Sequence, residues 1–146
     1  MPLRLLLATA LSLMVLPLMA GCEFIMGPSE GREVGIILGL ATQSPEIEMP
    51  LTVQAGEDFT VTIVTGWNNG CARKGMTEVK EEGSAAATVT PYDVVSTGGL
   101  CTLEPRTFTH TATLRFSEPG PAQVTIRGRT SRDSGVISVQ RELTVQ

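Results

Sequence analysis

The chain has 146 residues, and its 11 Lys and Arg against 15 Asp and Glu give a net charge of -4. That is one domain's worth of chain with a short flanking segment. An acidic balance with no cluster of five or more basic residues excludes nucleic acid as a partner, because neutralising phosphates takes a concentrated basic footprint.

The chain opens with a single positive charge at Arg4, followed over residues 5–18 by an apolar run of Leu, Ala, Met, Val, Thr, Ser and Pro17. This is the organisation of a secretory signal peptide with a helical apolar stretch. A membrane-spanning helix fits less well. The run falls short of the roughly 18–20 residues that cross the hydrocarbon core, and Pro17 interrupts a helix near its end.

The run closes as Leu18-Met19-Ala20-Gly21-Cys22. This ending resembles the lipobox of bacterial lipoproteins, departing from its commonest form at Met19, where Leu is usual. The resemblance implies that residues 1–21 are removed as a signal peptide. It also implies that the Cys22 thiol carries a diacylglyceryl group and that the new amino group is acylated, for instance with palmitate. Two or more acyl chains hold a protein stably on a membrane where one does not. Cys22 is thus the expected lipidation site and the membrane its expected partner. Glu23, in place of the Asp that retains enterobacterial lipoproteins at the inner membrane, points to the outer membrane of a bacterial envelope, on its periplasmic or surface-facing side. The competing reading makes Cys22 a spare cysteine or a disulfide partner.

Residues 22–33 hold Gly27, Pro28, Ser29 and Gly31 without a usable period and read as the lipidated N-terminus and a tether. The domain then runs from 34 to 146. Residues 34–40 are an apolar run of strand length, and 41–50 a polar loop. Seven segments follow with alternating or strand-like composition, lettered A (51–54), B (58–65), C (76–82), D (85–90), E (107–116), F (122–129) and G (136–145). In E the alternation is complete: Phe108, His110, Ala112, Leu114 and Phe116 share one face, with Thr107, Thr109, Thr111, Thr113 and Arg115 on the other. Arg141 carries the inward parity of strand G, which suggests a bulge or an edge.

Short strands at even spacing predict an all-β, antiparallel sandwich of about seven strands. The Val53-x-Ala55-Gly56 turn and the Phe116-x-x-Pro119-Gly120 turn resemble those of bacterial immunoglobulin-like domains, although Trp67 precedes both cysteines rather than lying between them. Antiparallel order puts the B–C, D–E and F–G loops at one end. Cys71 lies in B–C and Cys101 in D–E, so with Cys22 lipidated these two are expected to form a disulfide.

Candidate chemistry is sparse. His110 is the single histidine, and with Cys71 and Cys101 oxidised and Cys22 lipidated a zinc site lacks ligands, so no metal and no cofactor is expected. A Ser-His-Asp triad would have to use His110, whose parity faces the core, and a buried, hydrogen-bonded histidine is the plainer reading. Arg115, Arg127, Arg129 and Arg132 could receive an acidic envelope glycan, or could serve as solubilising partners of carboxylates. Trp67, Asn68 and Arg73 in B–C, with Arg132 in F–G, are the candidate binding residues. The indole is either an exposed anchor or a cap on the core. The expectation is a non-enzymatic, lipid-anchored cell-envelope protein whose sandwich binds an envelope protein or glycan or plays a structural part. The alternative is an inhibitor of a hydrolase, a protease or muramidase, acting through the B–C, D–E and F–G loops. Oligomeric state is not legible.

Overall fold

The computed structural model describes residues 29–146. The expected signal peptide, Cys22 and the first part of the tether lie outside the described residues. The fold is nearly all β, in two sheets: β1 (Ser29–Val34), β2 (Ile47–Glu48), β3 (Thr52–Val53), β4 (Asp58–Trp67), β5 (Ala72–Glu81), β6 (Ala86–Thr97), β7 (Arg106–Arg115), β8 (Gly120–Arg129) and β9 (Val136–Val145). One sheet has the order β2-β4-β7. The other runs β1-β6-β8-β9-β3, with β5 on the opposite edge of β6.

The alternating segments form this structure because one face of each strand has a core to enter. Phe59, Val61 and Ile63 of β4 and Ala112 and Leu114 of β7, with Phe116, meet Ala87 and Val89 of β6, Ala122, Val124 and Ile126 of β8, and Leu143 and Val145 of β9. Phe59 and Phe116 pack with ring centroids 5.4 Å apart, a tilted aromatic pair within the favoured spacing. The Thr-rich faces of β4 and β7 look outward.

The pairing is not wholly antiparallel. β6 runs parallel to β8 and β3 parallel to β9. The first of these follows from chain order: β7 crosses to the other sheet and reverses direction, so β6 and β8 point the same way when they meet. Strands E and F, consecutive in the chain, therefore lie in different sheets.

Three segments depart from expectation for local reasons. Ser29 to Glu33, read as tether, belong to β1, which pairs along β6 from Ser29↔Thr97 to Val34↔Tyr92. The apolar run 34–40 is not one strand. It leaves β1 at Val34, bridges both sheets through Ile36↔Arg129 and Ile37↔Thr65, and turns at Gly39, whose φ of 72° is left-handed. Strand D, expected to stop at 90, continues through Pro91 to Thr97 as β6. Pro91 presents its carbonyl to the Gly35 N–H, 2.9 Å away. Its missing N–H falls on the same edge, between the stretch paired with β8 and the stretch paired with β1. A proline costs little where the ladder already changes partner. Opposite it, β5 carries an irregularity between Lys74 and Thr77, which absorbs the mismatch as a bulge does. β9 shows no bulge at Arg141; most of its outer side is an edge, since β3 covers only Thr144 and Val145.

Two surface ion pairs tie distant segments together. Arg73 of β5 donates to Glu30 of β1 at 2.7 Å, and Arg115 of β7 donates to Asp58 of β4 at 2.7 Å. The hydrogen bond from Arg73, reinforced by its charge, holds the Glu30 carboxyl below the ordinary carboxylate range, and the hydrogen bond from Arg115 does the same for Asp58. A depressed folded-state pKa contributes stability that is present above the unfolded value and disappears as pH falls through the folded one. Both pairs are solvent-exposed, so the contribution is small and is screened by salt. Arg73→Ala is expected to return the Glu30 titration upward to the ordinary range. Side-chain carboxyl NMR checks it: an unmoved Glu30 midpoint contradicts the assignment.

Candidate functional site

The inward parity of β4 runs on past Ile63 to Thr65 and Trp67, so the indole projects between the sheets. Its Nε1–H donates to Asp93 Oδ2 of β6 at 2.9 Å. Asp93 Oδ1 lies 2.9 Å from His110 Nε2 of β7, and His110 Nδ1 lies 3.2 Å from Thr77 Oγ1 of β5. Asp93 and His110 are both 0% exposed. The result is a polar chain, Trp67–Asp93–His110–Thr77, that joins the two sheets through a mainly apolar interior.

One assignment of protons satisfies every member: Trp67 and His110 Nε2–H donate to the two carboxylate oxygens, and the Thr77 hydroxyl donates to Nδ1. Satisfied in this way, a buried polar group avoids the desolvation cost of an unmade bond. Close packing leaves it little room. A Cβ on Gly35 would stand 2.5 Å from Thr65 Cγ2 and 3.2 Å from Asp93 Oδ2, and one on Gly75 would stand 2.3 Å from the Tyr92 carbonyl oxygen.

Thr77, His110 and Asp93 form the sequence of contacts of a hydroxyl–imidazole–carboxylate triad. A triad needs a substrate at the hydroxyl and a positioned oxyanion site. Here both imidazole nitrogens are engaged in the interior, and none of the cavities described below is lined by Thr77, His110 or Asp93. The geometry is that of a packed inter-sheet link. Asp93 was missed by sequence reading because Pro91 ended the expected strand two residues earlier. Yet Ala87, Val89, Pro91 and Asp93 share one parity, and all are buried.

Trp67 also forms one wall of the loop end. The loops after β4 (68–71), β6 (98–105) and β8 (130–135) gather there, as expected from strand order. Cys71 and Cys101 are joined by a disulfide with Cα atoms 5.1 Å apart. The Gly70 N–H donates to the Thr102 carbonyl at 2.9 Å, so the second loop lies along the first. An apolar cavity of 320 Å³ is lined by Ile36, Leu38, Gly66, Trp67, Asn68, Pro105 and Ser131. On the other side of the indole a smaller recess holds Arg132 and Asp133.

The Arg129 guanidinium is 5.3 Å from the centre of the Trp67 ring, within cation–π range. It is held there by its Nε donating to the Val34 carbonyl at 2.8 Å. Its Nη2 lies 2.7 Å from a Glu33 oxygen but out of line for a hydrogen bond, so this contact is an ion pair. Trp67 is therefore neither a free anchor nor a fully covered cap. Its polar edge is tied to the core link, one face to Arg129, and the remaining surface lines cavities.

The structure brings together only some of the candidate binding residues. Trp67 and Asn68 share the apolar cavity, and Trp67 and Arg132 share the recess. Arg73 stands on β5 rather than in the loop, pairs with Glu30, and lines neither. The arginines considered as receivers of an acidic glycan are dispersed, Arg115 on one sheet with Asp58 and Arg129 on the other against Trp67. A larger open groove of 460 Å³ lies over the outer face of β4 between β2 and β7. Its walls are Pro45, Glu46, Ile47, Glu48, Thr62, Val64 and Thr109. Among the described residues no group of three or more His, Cys, Asp or Glu could hold a metal ion. No helix there is long and apolar enough to cross a membrane.

No protein-family model matches the chain, and neither a curated protein nor a solved structure matches it.

Proposed function

We propose that this chain is a non-enzymatic lipoprotein of a bacterial cell envelope, anchored through acyl groups on Cys22, whose sandwich binds an envelope component or supports the envelope mechanically. The observation that carries the reading is the disulfide. Of the three cysteines, two are joined as Cys71–Cys101, so Cys22 has no cysteine left in the chain to pair with. A disulfide also suits export to an oxidising compartment. An odd cysteine in an exported chain calls for a different use, and the run Leu18-Met19-Ala20-Gly21-Cys22 supplies one.

The immunoglobulin-like reading of the sandwich draws support from its central pairings. β4 with β7 corresponds to strands B and E of that fold, and β8 with β9 to strands F and G. It departs where β6 enters between β5 and β8 in the sheet that strand C would share with F. The second reading, an inhibitor of a protease or muramidase, draws on the cavity beside Trp67 and requires the loop end to face away from the membrane.

Intact-mass and N-terminal peptide analysis of protein taken from native membranes tests the anchor. The expected product begins at Cys22 and carries the mass of a diacylglyceryl group and an N-acyl chain. A soluble, unmodified chain cleaved elsewhere would sink the reading.

A further inference from the structure

Leu100 and Leu103 are 107% and 91% exposed. A lone exposed leucine is unremarkable in a soluble domain, but these two stand three residues apart in one loop that is fastened at its middle. Cys101 between them is bonded to Cys71, and the Thr102 carbonyl takes the Gly70 N–H. A loop held in this way presents its apolar side chains with much of the ordering cost of binding already met.

Where the chain enters the fold decides what meets them. β1 begins at Ser29, whose hydroxyl lies 2.6 Å from that of Thr97 at the end of β6. Leu100 follows Thr97 by three residues. β6 runs on past its pairing with β8, which ends at Val89↔Ile126, to the pairing with β1 at Thr97. The loop and the entry point thus share the far tip of the larger sheet. Ser29 lies seven positions after Cys22, and seven fully extended steps of chain span at most about 25 Å. An anchor at Cys22 holds this tip within that distance of the lipid.

We propose that the 98–105 loop docks on the lipid surface to which Cys22 is anchored, with Leu100 and Leu103 entering the headgroup and upper acyl region. This rests on the lipoprotein reading and adds an orientation to it: the sandwich stands with its Cys71–Cys101 end down. Each leucine drawn from water strengthens the contact roughly tenfold, as for other shallow interfacial insertions. Glu104, next to Leu103, keeps the insertion shallow, because its carboxylate stays among the headgroups. A hydrolase could not then be engaged by the same loops.

The test uses the full acylated protein, its mass verified, in vesicles of phosphatidylethanolamine and phosphatidylglycerol with brominated acyl chains. Leu103→Trp supplies a reporter at the tip, and the wild-type chain, with Trp67 as its only tryptophan, supplies the background. Bromolipid is expected to quench the Leu103→Trp protein severalfold more than the wild type, and adding Leu100→Ser is expected to remove most of that excess. Both positions are exposed, so urea midpoints should match the wild type. Protein that floats with the vesicles but shows no excess quenching overturns the docking and leaves the anchor standing. Protein without acyl mass that stays in solution overturns both. A dimer cross-linked through the 98–105 loop on the vesicles also overturns the docking, since a second copy would then cover the leucines.

Discussion

Asp93→Ala is expected to destabilise the domain by about 3–5 kcal/mol, because it leaves two buried donors unsatisfied at roughly 1–3 kcal/mol each. Both Asp93 oxygens are used, one by Trp67 Nε1–H and one by His110 Nε2, and alanine leaves both donors facing a void. A small domain holds only about 5–15 kcal/mol in total, so the urea midpoint should fall by roughly a fifth or more. Asp93→Asn discriminates between loss of the link and loss of charge. The amide oxygen can accept from Trp67 while the amide nitrogen donates to His110 Nε2, with the imidazole turning its remaining proton toward Thr77. That variant is expected to lose only about 1 kcal/mol. A neighbour supplies the opposite sign: the Thr65 hydroxyl is buried with no hydrogen-bond partner. Thr65→Val is thus expected to be neutral or to stabilise by up to about 1 kcal/mol. Equal losses for Asp93→Ala and Asp93→Asn would mean that charge, rather than the hydrogen-bonded chain, carries the effect.

The same cluster shows how far the sequence could be read. Alternation in 58–65 and 107–116 is plain because each strand has one face on the core and one in solvent, and the strands appear where that pattern predicts. Their ends were obscured by two residues that ordinarily break strands. Gly66 reads as the start of a loop but lies inside β4, where a Cβ would come 2.5 Å from Leu38 Cδ2. Pro91 reads as a stop but sits where β6 changes neighbours. Carrying the parity across each would have placed Trp67 and Asp93 on facing inward lines. The disulfide was legible, since strand order alone puts Cys71 and Cys101 at one end.

Other features are not local properties of the sequence. Nothing in β6 or β8 records that β7 leaves for the other sheet between them, so the parallel pairing could not be anticipated. Arg115 and Arg129 share a parity yet belong to different sheets and meet different partners. Leu100 and Leu103 were passed over because exposure is a property of the whole fold. In a segment bounded by Gly98-Gly99 and Pro105 they could as readily have been buried.

Cys71→Ala with Cys101→Ala is expected to cost about 3.6 kcal/mol, the chain-entropy value for a loop of about 30 residues. That value suits this site because the bridge lies outside the apolar core. Its two cysteines join loop ends, Cys71 half-buried and Cys101 exposed, and neither belongs to the core cluster. Most of the loss should therefore act through the unfolded chain, which gains freedom when the crosslink goes. Each single substitution should cost as much as the double, and reductant should bring the wild type to the same urea midpoint. Within the folded state the change should be confined to the 98–105 loop, held afterwards only by the Gly70–Thr102 hydrogen bond. Faster proteolysis is expected there, with the Trp67 emission maximum unchanged because Asp93 and Arg129 still hold the indole. A shifted Trp67 emission in the double variant would show instead that the disulfide positions the indole, joining the loop end and the inter-sheet link into one unit.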